Sequence, residues 1–333
     1  MRVKGVLIIV IIILINMVES FRIPTLSEMF RMKKLRVDDG ISEIKNDEIC
    51  NILVLSGGGS HGAYQAGVIK NLTDNNNNYD VITGISAGSL NAGYISLYEK
   101  EDIKRASNNL LEVWSKLTND KVYNINLFPF NKQSVFDNTP LRNTLNDIIS
   151  NFTLPKRNII IGATSLTTGK QKIYTERNMK TNDDMTNILL SSTAIPIIFP
   201  PNFYDNDYLV DGGLFSNELI DPAIDRCIAD NKYNIKIDVV LCAKLIDDIS
   251  VDDIKNMGLG GLMSRTFDIL DNTYFNHELY SRCELSQKIY PMNIYLPNEP
   301  FPTNIINFNP EYSKIMINMG IENKYSLKHY YCR

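Results

Sequence analysis

The chain is 333 residues long, 44% hydrophobic and 22% charged, the proportions of a folded globular protein rather than a disordered or fibrous one. Lys and Arg number 34 against 38 Asp and Glu, a formal net charge of −4, so no basic excess is available to neutralise phosphates and nucleic acid is set aside as a partner. The five cysteines, Cys50, Cys227, Cys242, Cys283 and Cys332, are scattered without a C-x-x-C pair or metal-ligand spacing, which predicts no metal site and at most two disulfides.

Arg2 and Lys4 precede an apolar stretch from Gly5 to Ile15, too short to span a hydrocarbon core that needs about 20 such residues. The layout over 1–20 is that of a secretory signal peptide ending at Ser20, with an uncleaved membrane anchor as the alternative. Secretion or residence in a secretory lumen is the expectation. Residues 21–49 read as a linker or short helical segment, with Arg31, Lys33, Lys34 and Arg36 set beside Leu26, Met29, Phe30 and Leu35.

From Ile52 the pattern sharpens. Ile52 to Ser56 is an apolar run ending in three glycines, a buried strand feeding a tight loop. Gly62 to Leu72 predicts a helix, Tyr79 to Thr83 a second strand, Gly84 to Gly88 a turn, and Ser89 to Tyr98 another helix. Such alternation builds a parallel sheet whose strand-end loops share one rim. Downstream the spacing predicts a helix over 103–117, strands over 158–163 and 172–175, a helix from Asp183 to Leu190, a short strand at Leu209-Val210 and a buried one over 237–243. The C-terminal third predicts helices near 261–285 and 311–325 and offers no chemical motif.

Three motifs carry chemistry. Gly84-Ile85-Ser86-Ala87-Gly88 sets a serine on a sharp turn between strand and helix, with glycines two residues to either side where a side chain would clash. The loop Gly57-Gly58-Gly59-Ser60-His61-Gly62 also fits a dinucleotide fingerprint. That reading lacks its acid at the end of the second strand, where Thr83 and Gly84 stand, and a phosphate loop lacks its lysine, where Ala63 stands. Glycines so placed let backbone N–H groups gather around a developing oxyanion instead. A serine needs a base within reach. His61, in the glycine loop, and His277 and His329, both expected in helices, are the histidines, none in a triad-like motif; Asp211-Gly212-Gly213, after Tyr208 to Val210, is the other candidate, against the plain alternative of a turn aspartate.

In this order the three motifs resemble those of the patatin-like phospholipase family, and Ser191 to Pro201 is similar to the segment preceding its aspartate. The resemblance spans about 53–224 as a catalytic domain and leaves 225–333 as an extension packing on it. It implies a three-layer α/β/α fold with a mostly parallel central sheet. It further implies Ser86 as nucleophile and Asp211 as base, with Gly57, Gly58 and Gly59 forming the oxyanion hole and Gly62, Gly84, Gly88, Gly212 and Gly213 as motif glycines. The implied substrate is a lipid acyl ester, met by transient contact with a membrane or micelle, with no cofactor and no metal. His61 stands where the family usually carries Arg or Lys, and Leu219 where it often carries Pro, while Asn217 matches. Two rivals stay in view: a Ser-His-Asp esterase using His277 or His329, and a secreted storage or interaction glycoprotein with a silent site.

Overall fold

The computed structural model describes residues 49–126, 132–243, 249–258, 289–323 and 326–332, with isolated positions between 261 and 275. The readings over 1–20 and 21–48, most of the helix expected over 261–285, His277 and Cys283 lie outside the described residues.

Strand β1 (Ile49–Leu55) shows why the chain forms layers. Leu53 and Leu55 enter one apolar cluster, while Cys50, Ile52 and Val54 enter another. A strand buried on both faces needs helices on both sides. Helices α1 (Gly62–Asp74), α2 (Ala87–Ser96), α3 (Ile103–Ser115), α4 (Thr139–Ile149) and α5 (Asn182–Ser192) supply the first cluster. Helix α6 (Ile220–Ala229) covers the second, and α7 (Pro310–Ile321) returns to the first. Each fully buried Leu or Ile in these clusters contributes about 1.5–3 kcal/mol. The result is the expected α/β/α arrangement.

Among the described residues the central sheet has nine strands. β1 lies between β2 (Val81–Gly84) and β9 (Asn234–Val240), parallel to both. β2 is followed outward by parallel β5 (Asn158–Ser165), then by antiparallel β8 (Asp207–Asp211) and β7 (Asn202–Tyr204), with β6 (Gln171–Thr175) also pairing β5. On the other side β10 (Ile289–Tyr295) joins β9 in parallel and β11 (Ser326–Cys332) closes that edge antiparallel. A two-stranded ribbon of β3 (Asn124–Ile125) and β4 (Phe136–Asp137) stands apart.

The C-terminal third departs from expectation. The helix expected over 311–325 is α7 and stops at Ile321; beyond it the chain forms β11, so His329 sits on an edge strand rather than in a helix. Pairing along the whole of β10 and burial of Tyr331 outweigh the local pattern there. Helix α7 packs backbone to backbone on α1: a Cβ at Gly67 would fall 2.1 Å from Ile317 O, and one at Gly320 would fall 2.2 Å from Tyr64 O.

Cys50, on β1, is disulfide-bonded to Cys227, on α6, closing a loop of sequence separation 177. Both are buried, and so is Cys242, which carries a thiol. A cross-link of this reach constrains the unfolded chain and typically contributes about 2–4 kcal/mol. Replacing both residues by Ala is expected to lower the melting temperature by about 5–15 °C, measured by differential scanning calorimetry; an unchanged midpoint would show the bond to be energetically idle.

Candidate active site

Ser86 follows β2 directly and precedes α2, with φ 51° and ψ −123°, a backbone region that residues with a side chain rarely enter. The strain is held by close approach on both sides. A Cβ at Gly84 would fall 2.3 Å from Gly88 O, and one at Gly88 would fall 2.2 Å from Leu55 O. Strand end and helix start therefore cross at contact distance, and Ser86 is lifted to the rim with its N–H given to Ser192 Oγ at 3.0 Å. Helix α2 begins at the next residue, so its positive end lies at Ser86.

Asp211 reaches the same level across β5. Gly84, the last residue of β2, pairs with Ile161, and Asp211 pairs with Ala163, two residues further along β5 in the direction that Ser86 extends. The Asp211 N–H is held by Ala194 O at 2.9 Å, and its Oδ1 accepts from the Gly213 N–H at 2.9 Å. Ser86 and Asp211 are both buried, at 5% and 6% exposure. Burial pushes the Asp211 carboxyl up to about 6, against the stabilising hydrogen-bonding of the Ser86 hydroxyl and the Gly213 amide. Among the described residues Asp211 Oδ2 has no hydrogen-bond partner of standard geometry, and Ser86 is the side chain whose hydroxyl steadies the carboxylate charge.

The glycine loop leaves β1 beside the serine. A Cβ on Gly57 would sit 3.0 Å from Ser86 Cβ and 2.6 Å from Asn217 Oδ1, so Gly57 lies against both residues. The Gly57 N–H is given to Asn217 Oδ1 at 2.9 Å, which engages that amide and ties the loop to the turn that follows Asp211. Among the described residues Gly58 and Gly59 show no hydrogen bond from their N–H groups, and they carry φ values of 153° and 57°. Gly62 opens α1 against the Trp114 ring, while Gly212 and Gly213 form the turn after Asp211, where the bond to its Oδ1 is made.

The histidines are placed otherwise. Both ring nitrogens of His61 face carbonyl oxygens, Nδ1 that of Cys242 at 3.2 Å and Nε2 that of Thr303 at 2.9 Å. Burial pushes this imidazole down to about 4 despite both partners. His329 lies on β11, separated from β2 by β10, β9 and β1. Ser192, Cys242 and Thr303 to Ile305 also shape the site; none was singled out in the sequence for that role, because what they offer is a hydroxyl or backbone atoms that no spacing marks.

Residues 53–224 match the family model described as patatin-like phospholipase. The chain belongs to the patatin-like phospholipase family. The match contains the serine elbow, the glycine loop and the Asp211 turn, and the fold places all three on one rim. Among curated proteins the chain is 31% identical over 188 residues to "Probable lipid hydrolase 463L" of Invertebrate iridescent virus 6, covering 52% of this chain and 62% of that one. It is 28% identical over 171 residues to triacylglycerol lipase 4 of Saccharomyces cerevisiae, covering 46% of this chain and 19% of the lipase. The aligned part thus falls short of two thirds of either relative's length. Among solved structures, VipD from Legionella pneumophila aligns over 84% of this chain and 68% of its own, at 13% identity and a TM-score of 0.41.

Proposed function

We propose that this patatin-like protein is a lipid acyl hydrolase of phospholipase A type, working through an acyl-enzyme on Ser86 with Asp211 as its base. The observation that carries the reading is the strained Ser86 facing the buried Asp211 carboxyl beside two unengaged amides. Asp211 takes the hydroxyl proton as Ser86 Oγ bonds to the ester carbonyl carbon. The oxyanion forms against the Gly58 and Gly59 N–H groups, and the alcohol leaves with the proton from Asp211. Water, deprotonated by the same carboxylate, then releases the fatty acid and restores the serine.

The triad alternative is weakened by the positions of His61 and His329, neither of which faces the Ser86–Asp211 pair. Contact with a lipid surface is supported by Leu214 and Phe215, three and four residues after Asp211, which stand 46% and 47% exposed, and by Ile197 at 68%. Secretion is supported by the N-terminal signal layout and by the Cys50–Cys227 disulfide, a bond that persists in oxidising compartments.

A fluorophosphonate probe is expected to label the protein at Ser86, seen by peptide mass spectrometry, and not to label Ser86→Ala. The wild type should release fatty acid from phosphatidylcholine vesicles and co-sediment with them. An unlabelled wild type would favour a silent site, and labelling lost in a His277→Ala, His329→Ala double mutant would favour the triad.

A further inference from the structure

The loop that carries Gly58 and Gly59 is held by chain lying outside the family match. Three consecutive carbonyls meet it: Ile305 O accepts from Ser60 N at 2.8 Å, Asn304 O accepts from Ser60 Oγ at 2.8 Å, and Thr303 O faces His61 Nε2 at 2.9 Å. From the other side comes the end of β9. Cys242 O faces His61 Nδ1 at 3.2 Å, and the Cys242 N–H is given to Ser56 Oγ at 2.9 Å. The His61 ring is also packed on Phe301 at 4.1 Å between centroids. Gly58 and Gly59 are thereby enclosed: a Cβ on the first would fall 2.3 Å from Cys242 Cβ, and on the second 2.0 Å from Ile305 O.

This arrangement differs from plain core packing in what it spans. His61 bridges two segments far apart in the chain, and the residues it follows carry positive φ and show no N–H hydrogen bond among the described residues. A neutral imidazole has one N–H for two carbonyls, so one carbonyl accepts it while the other faces a lone pair. Burial opposes the second proton that would satisfy both. Of the side chains that meet the cluster, Phe301 is apolar and burial raises the Tyr64 hydroxyl far above the usual phenol range, so neither brings a charge. His61 therefore supplies alignment and no positive charge.

We propose that His61 is a positioning residue for the oxyanion amides, clasped between Cys242 and a 301–305 strap, so that the C-terminal segment is part of the catalytic apparatus. The proposal rests on the Ser86–Gly58–Gly59 reading given under Proposed function. It predicts that loosening the clasp lowers the rate at each active site and leaves ester binding and the fold in place.

The test is kcat and KM on a soluble p-nitrophenyl ester, with rates divided by active sites titrated with the fluorophosphonate. His61→Ala is expected to lose about 10- to 100-fold in kcat with KM within about threefold, below the 10²–10³-fold cost of losing a whole oxyanion donor. His61→Gln, which restores a donor near Thr303 O, is expected to regain at least about fivefold over His61→Ala. Ser60→Ala removes only the bond to Asn304 O and is expected to lose about three- to tenfold. It keeps the test open should His61→Ala fail to fold. Undiminished kcat per titrated site in the folded variants, or a loss entirely in the titrated fraction, would overturn the proposal. A wild type that the probe does not label would instead overturn the underlying dyad reading.

Discussion

Asp211→Asn is expected to abolish acyl hydrolysis and, above neutral pH, to raise the melting temperature. Both effects come from one burial. The carboxyl sits at about 6 because its charge is poorly solvated, so the folded state carries an ionisation penalty that the unfolded chain does not. A folded pKa above the ordinary 3.8 means stability is whole below about 3.8, falls as pH rises through about 6, and stays low beyond. That difference corresponds to about 3 kcal/mol. Asn avoids that penalty while its Oδ1 still accepts from the Gly213 amide. Calorimetry is expected to show a Tm difference near zero at pH 4 that grows to about 5–10 °C at pH 8.

Activity follows the opposite course. The base must be ionised, so kcat/KM of the wild type is expected to rise with pH through a midpoint near 6, and the variant to lose about 10²–10⁴-fold. Residual activity above a tenth of wild type would remove Asp211 from the mechanism. A Tm difference that ignores pH would show that the carboxyl is not strained by burial.

How much of this could be read from residue order depends on what kind of atom does the work. The serine elbow was legible because the chemistry needs a named side chain and glycines at fixed distances, and Gly84 and Gly88 do meet backbone at 2.3 and 2.2 Å. The parallel core was legible for a related reason: β1, β2, β5 and β9 are short apolar runs separated by helix patterns, and the rim they share follows from parallel pairing. Boundaries moved by a few residues, as with β2, expected from Tyr79 and found from Val81.

The support of the glycine loop was not legible. Thr303, Asn304 and Ile305 act through carbonyl oxygens, which every residue has, and they reach Ser60 and His61 across more than 240 positions. Asn217 was noted as a family match, but its hold on the Gly57 amide needed the fold, and it engages one of the three amides expected at the oxyanion site. His329 was misplaced because β11 is an edge strand whose sequence carries little alternation; pairing with β10, which itself contains Pro291, decides its conformation.

The largest structural effect is expected from Gly88→Ala. In an exposed helix this change would stabilise, since Ala loses less chain entropy and is the better helix former. Here the added methyl would fall 2.2 Å from Leu55 O and 2.6 Å from Ser56 O, where β1 hands over to the glycine loop. Neither atom can yield alone. Leu55 O accepts from the Ile85 N–H at 3.2 Å, and Ser56 O accepts from Gln65 Nε2 at the same distance. Moving α2 away from β1 would instead release the Ser86 turn that its close approach maintains. Overpacking of backbone against backbone belongs with the costs above about 4 kcal/mol, so thermal unfolding is expected at least about 10 °C lower, or the protein is recovered insoluble. Any folded fraction should label slowly with the fluorophosphonate. A variant with wild-type melting and labelling would mean that the elbow tolerates a side chain at this position, and close approach would then no longer explain why Ser86 is held at φ 51°.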